Sequence, residues 1–469
     1  MSRSPLPPMA HSGPPNRSPT APQAGDAQAS AVGPAPLSTS RRDPTTLPRL
    51  MAAYIVVAVG RIGDFVPWLQ QIPLAKIVVV LAIISAMRHR DEWTSATWKS
   101  IPPAGLTIVL MGITTLSILF SVLRSATFGV ITGTALAVVI TLLITIKASR
   151  GWASVKTMLR GSVIASVVVV LSALSSSLAG RAGYSSTYDP NDFAFVLVGL
   201  LPLVVTFGIV SRGAKRLLYF GIACVMAAAT LLTESRGGLL GLIFDIIAMT
   251  FVLPVAWRGQ LQFRTSASKV FTRVVLLALI GIAGWQSLPE TARARLATIT
   301  ELGSDYNTNV TTGPQAGRLA IWTRNLPFAL QRPWGWGASA FVVVDGSFAG
   351  GRYRAAHNTF LQALIELGVP GFAVFIAVIF SSLRYLRVPS DQGPENHNGP
   401  PDEPRAFARA LGIGLIGLCV CGFFLSQLFA NVFWTFVTLS CAVGIVRRMP
   451  SAERGNAPSA VTVARQRSP

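Results

Sequence analysis

From Leu106 to Val122, and again from Phe193 to Val210, the chain carries no charged side chain. Such runs exceed what a buried strand needs and match the roughly 20 residues that cross bilayer hydrocarbon. Segments of this kind recur at about 50–60, 72–87, 101–120, 127–146, 161–179, 193–210, 217–233, 237–256, 270–288, 357–383, 410–428 and 431–446. Inside a bilayer each backbone polar group needs an internal partner, and a helix supplies one. The expected fold is therefore an all-α polytopic membrane protein with about twelve transmembrane helices. Charged residues make up 13% of the chain, against about 25% in soluble domains.

The net charge of +21 does not make this a nucleic-acid binder, because its placement explains it. With the N-terminus in the cytoplasm, every connection on that side is basic: Arg88/Arg90, Lys147/Arg150, Arg212/Lys215/Arg216, Arg258/Arg264, Arg384/Arg387 and Arg447/Arg448. That alternation is the positive-inside pattern and predicts both termini inside. Residues 1–48 and 448–469 are expected to be disordered cytoplasmic tails, being rich in Pro, Ser, Ala and Gly or polar residues. Spans 1–9 would occupy 49–288 and spans 10–12 would occupy 357–447, with a Pro-rich cytoplasmic linker at 388–405. Cys224, Cys419, Cys421 and Cys441 fall in apolar spans and suit neither a disulfide framework nor a zinc site.

One outward connection is long. Residues 289–356 carry Arg293, Arg295, Arg318, Arg324, Arg332, Arg352 and Arg354. Arg presents a planar donor fork that matches phosphate oxygens and keeps its charge. Some of these arginines could line a phosphate pocket; others would meet lipid headgroups or water. Of the four histidines, His11 and His397 lie in tail or linker and His89 in a short cytoplasmic loop. His357 alone opens an apolar helix on the outward side. Asn358, Gln362 and Glu366 follow at i, i+4 and i+8, one polar stripe running about 13 Å down that helix. An ionisable group at such depth suggests function, while helix capping by His357 and an ion pair for Glu366 are the plainer alternatives. The segment TESRGGLLG at 233–241 sets Arg236 at another outward junction, with Asp245 buried farther along. In YDPNDFA at 188–194, Asp189 and Asn191 are turn residues, and Asn191 or Asp192 is placed to cap the next helix.

The order of ESRGG at 234–238, GRLAIWTRNLPFALQRPWGWGASAF at 317–341 and HNTFLQALIELGVPG at 357–371 resembles the superfamily of O-antigen ligases and O-antigen or exopolysaccharide polymerases. The DPNDFA loop is similar to one common there. The resemblance implies a GT-C-like glycosyltransferase of the bacterial inner membrane, working without metal, cofactor or nucleotide sugar. It would take glycan from undecaprenyl diphosphate at the periplasmic face and pass it to an acceptor hydroxyl. By the same resemblance Arg236 and Arg318 would hold the diphosphate, and His357 would be the base that deprotonates the acceptor. Asn358, Glu366, Arg324, Asp189 and Asn191 are the further substrate-binding candidates. The acceptor would be another lipid-linked glycan for a polymerase, towards which the central stretch leans, or lipid A–core for a ligase. A chain-length regulator and export proteins are the partners implied.

A transporter or flippase of lipid-linked glycans is the competing class, since twelve spans suit one. The single long outward loop and the absence of a visible repeat speak against it.

Overall fold

A computed structural model describes residues 45–88, 100–177, 189–258, 317–387 and 402–449, with 290–297 and scattered positions between 275 and 288. Among these residues the secondary structure is helical throughout, with no strand. The long helices are α1 (Thr46–Ala58), α2 (Leu74–Arg88), α3 (Pro102–Leu116), α4 (Arg124–Ala148), α5 (Trp152–Ser177) and α6 (Pro190–Val210). They continue with α7 (Ala214–Leu232), α8 (Arg236–Arg258), α9 (Arg318–Gln331), α10 (Thr359–Tyr385), α11 (Glu403–Gly422) and α12 (Asn431–Arg448). Among the described residues, eight segments are long and apolar enough to cross a membrane by length and composition. The chain is thus a multi-pass, all-α membrane protein. The expected span at 270–288 apart from those scattered positions, the tails at 1–44 and 450–469, and most of the 388–405 linker lie outside the described residues.

Several expected boundaries move, each for a physical reason. The span drawn from 161 begins at Trp152, and the one drawn from 410 begins at Glu403. Their polar first turns satisfy each other: Glu403 accepts from Lys156 Nζ at 2.7 Å and Trp152 Nε1 at 2.8 Å. Charge there marks where two helices meet, not where they stop. The segment drawn as 410–428 ends as a helix at Gly422. Residues 423–430, apolar enough to pass for membrane helix, form a loop held by side-chain hydrogen bonds to α10.

Helix α6 is the most enclosed, packed by α5, α7, α8 and α11. Glycines permit the closest crossings. A Cβ on Gly414 of α11 would stand 2.5 Å from the Gly199 carbonyl of α6, and one on Gly417 would stand 2.6 Å from Asp245 Oδ1 of α8. Asp245 is fully buried there, beside the α8–α11 contact.

Helix α10 is two helical pieces joined at Gly368, which takes φ +71° and ψ −174°, a conformation open essentially to glycine alone. The break leaves main-chain groups without helical partners. Pro370 has no N–H for the Glu366 carbonyl, and the Val369 N–H has turned away. Residues 333–337 supply what is missing. Val369 N donates to Pro333 O (2.8 Å), Trp336 N to Ile365 O (2.9 Å) and Gly337 N to Glu366 O (2.9 Å). The PWGWG and GVPG stretches are thus two halves of one main-chain joint.

Candidate active site

His357 stands immediately before the cap of α10. The cap is Asn358, whose side-chain oxygen accepts from Phe360 N (2.9 Å) and Leu361 N (3.0 Å). Capping is therefore not the task of His357. Its backbone adopts φ +47°, strained for a residue with a side chain and costing about 1–3 kcal/mol. The conformation is fixed by His357 N donating to Ser426 Oγ at 2.9 Å. Two neighbours reinforce it: Thr359 Oγ1 donates to Leu425 O (2.7 Å) and accepts from Gln427 N (3.0 Å). Trp322 of α9 donates to the Ala356 carbonyl (2.9 Å) just upstream.

The same loop, Phe423–Gln427, gathers the other candidates. Phe424 lies under the Arg318 guanidinium, 5.9 Å from ring centroid to Cζ. Phe424 also packs on Gly237, the residue after Arg236, where an added Cβ would lie 3.2 Å from its own. Gln427 donates through its side-chain amide to Asp192 Oδ1 at the start of α6. Three neighbouring loop residues therefore meet the arginine side, the histidine and the 188–194 segment in turn. Phe424 and Ser426 are two residues apart, so their Cα atoms lie within about 7 Å.

Arg236 and Arg318 share an electrostatic setting. Each is the first residue of its helix, α8 and α9. The first turn of a helix carries partial positive charge and disfavours a cation. Two arginines placed there make a region that favours an anion, with main-chain N–H groups available alongside. Ser235 prepares the α8 end by accepting from Gly238 N at 3.1 Å.

The remaining candidates are occupied by the protein's own groups. Glu366, 1% exposed, accepts from Ser339 N (2.8 Å), Phe341 N (3.3 Å) and Gln362 Nε2 (3.3 and 3.4 Å). It anchors residues 339–341 from behind. Arg324 pairs with the fully buried Asp345 at 2.6 and 2.7 Å. Asp345 also accepts from Asn325 Nδ2 (2.7 Å), Arg352 N (3.2 Å) and Arg354 N (2.9 Å), drawing the loop into a closed turn. Asp189, rather than Asn191 or Asp192, caps α6, accepting from Asn191 N (2.6 Å) and Asp192 N (2.9 Å). Asn191 is half-buried beside it. All four cysteines are free.

Sequence reasoning missed Ser426 and Gln427, and offered Asp192 only as a helix cap. Their signal was present: a Ser-Gln pair interrupting FFLSQLFAN is costly in a membrane helix and ordinary in a loop with partners.

With this arrangement in view, the match to known families becomes informative. Residues 221–376 match the O-antigen ligase family. The matched segment includes Arg236, Arg318 and His357 and both halves of the main-chain joint. It bears out the resemblance to the O-antigen ligase and polymerase superfamily and, with it, membrane glycan processing of that type. No curated protein matches the chain. The O-antigen ligase match stops short of Asp192 on one side and of the 423–427 loop on the other.

Proposed function

We propose that the protein transfers glycan from undecaprenyl diphosphate to a sugar hydroxyl at the periplasmic face of the bacterial inner membrane, with both termini cytoplasmic. One observation carries the reading: Arg318, His357 and Gly237, the residue that follows Arg236, are far apart in sequence and meet one short loop at Phe424 and Ser426. Two arginines at helix N-termini suit a diphosphate, and a histidine two loop residues away suits a base. Helix α9 supports the placement at a membrane surface. It turns Leu319, Leu326 and Leu330 outward, the last 83% exposed, as an interfacial helix does.

In the reaction the acceptor oxygen attacks the anomeric carbon. The C1–O bond to diphosphate breaks, and its electron pair stays on the diphosphate oxygen. The acceptor proton passes to the His357 imidazole and then to water. Arg236 and Arg318 offset the charge gathered on the leaving group. Attack opposite that group inverts the anomeric centre. Where the acceptor is a second lipid-linked repeat unit, the protein is a polymerase of O-antigen or exopolysaccharide, partnered by chain-length control and export proteins. The family description favours a second reading, transfer to lipid A–core.

Purified protein in proteoliposomes with lipid-linked glycan tests this reading. Transfer is expected with one of the two acceptors and is lost in His357→Ala, with membrane insertion retained. Near-normal transfer by that variant would refute the mechanism. Movement of glycan across the vesicle without any transfer would make the protein a flippase.

A further inference from the structure

We infer that Asp192 and Gln427 form the subsite for the acceptor sugar, on the side of His357 away from the two arginines. The inference rests on the transferase reading and adds to it the place and chemistry of acceptor recognition. Three observations carry it.

The first is order along the loop. Phe424 meets Arg318 and the Arg236–Gly237 turn, Ser426 fixes His357, and Gln427 meets Asp192. Residues 424–427 span at most about 10 Å. A displacement at the anomeric carbon needs leaving group and incoming hydroxyl on opposite sides of it. An anion-binding end, a base and a third polar group in that sequence provide for it.

The second is what Asp192 is spared from doing. The capping task belongs to Asp189. Among the described residues Gln427 is the side chain that hydrogen-bonds Asp192, and it does so at Oδ1. Asp192 is half-buried, so Oδ2 stays available at the rim.

The third is the chemistry of what is presented. A carboxylate only accepts, so the Gln427 amide nitrogen must face it. That leaves Gln427 Oε1 as a second acceptor beside Asp192 Oδ2, with Gln427 itself half-buried. Two acceptors side by side suit vicinal sugar hydroxyls and offer a phosphate no cation. The pair is therefore unsuited to the diphosphate and suited to the glycan that receives.

Asp192→Asn keeps the shape and the Gln427 contact but turns one acceptor into a donor. The assay is transfer in proteoliposomes at fixed donor, with the acceptor varied. The acceptor is the host's lipid-linked repeat unit in one arm and its lipid A–core in the other. The half-saturating acceptor concentration should rise about tenfold or more, in whichever arm supports transfer, with a smaller fall in kcat. Binding of undecaprenyl diphosphate to the purified variant should match the unsubstituted protein. Gln427→Ala should behave alike, and Asp192→Glu should recover part of the loss. A weakened undecaprenyl diphosphate affinity, or a fall in kcat with acceptor saturation unchanged, would overturn the subsite. His357→Ala separates the two claims. If that variant is dead while Asp192→Asn saturates normally, the subsite alone fails; if His357→Ala is active, the transferase mechanism fails.

Discussion

Glu366 gives the sharpest test of how the loop before His357 is held. Truncation to Ala removes the acceptor of three interior donors: Ser339 N, Phe341 N and Gln362 Nε2. Each buried donor left without a partner costs about 1–3 kcal/mol. The two bonds of 3.3 Å belong at the bottom of that range and the 2.8 Å bond to Ser339 somewhat above it. The sum is about 3–4 kcal/mol, felt where residues 337–343 rest on α10. At 1.4 kcal/mol per factor of ten, local opening becomes at least about 100-fold easier. Amide hydrogen exchange of a peptide covering 337–343, followed by mass spectrometry, reads this directly. Exchange should speed up about 100-fold in Glu366→Ala and about tenfold in Glu366→Gln, which keeps one oxygen. Peptides from α6 should not change. Unaltered protection in Glu366→Ala, with transfer lost, would refute the anchoring role and restore Glu366 as a group that meets substrate.

Two further outcomes follow from the same frame. Arg324→Met leaves the buried Asp345 carboxylate without its cation, a loss of about 3 kcal/mol or more; thermal stability in detergent should fall, while the folded fraction keeps its affinity for undecaprenyl diphosphate. Gly368→Ala forces a side chain into φ +71° and sets its Cβ 2.5 Å from the Trp334 carbonyl carbon. Residues 333–337 should then detach, and chymotrypsin should cut faster after the exposed Trp334.

Much of the architecture was legible because charge is so scarce in the spans. What failed to show were the places where polarity and helix ends part company. Lys156 and Glu403 read as loop charges, yet they sit inside first turns and satisfy each other across two helices. Phe423–Ala430 reads as membrane helix on hydropathy, because hydropathy does not register that Ser426 and Gln427 have partners on α10 and α6. Arg236, Arg318 and His357 were visible as motif residues, but the meeting of Gly237, Arg318 and His357 at Phe424 and Ser426 was not. The polar stripe of α10 was read correctly in its spacing and differently in its use. Asn358 caps, Gln362 and Glu366 bond inward, and His357 alone of the four remains at the rim.

The joint between residues 333–337 and 365–369 consists of peptide groups, so the side chains around it contribute little to its strength. Under the proposed transfer, substitutions in the surrounding loop can alter which sugars are accepted without moving the helix start that carries His357. A change in spacing is another matter. One residue inserted between Gly337 and Asn358 can be absorbed by the loop, whereas one inserted between Asn358 and Gly368 turns the lower piece of α10 by about 100° against its dock. Diversity of glycan is therefore expected to accumulate as substitutions and loop-length changes upstream of His357, while the distance from His357 to Gly368 behaves as a fixed ruler.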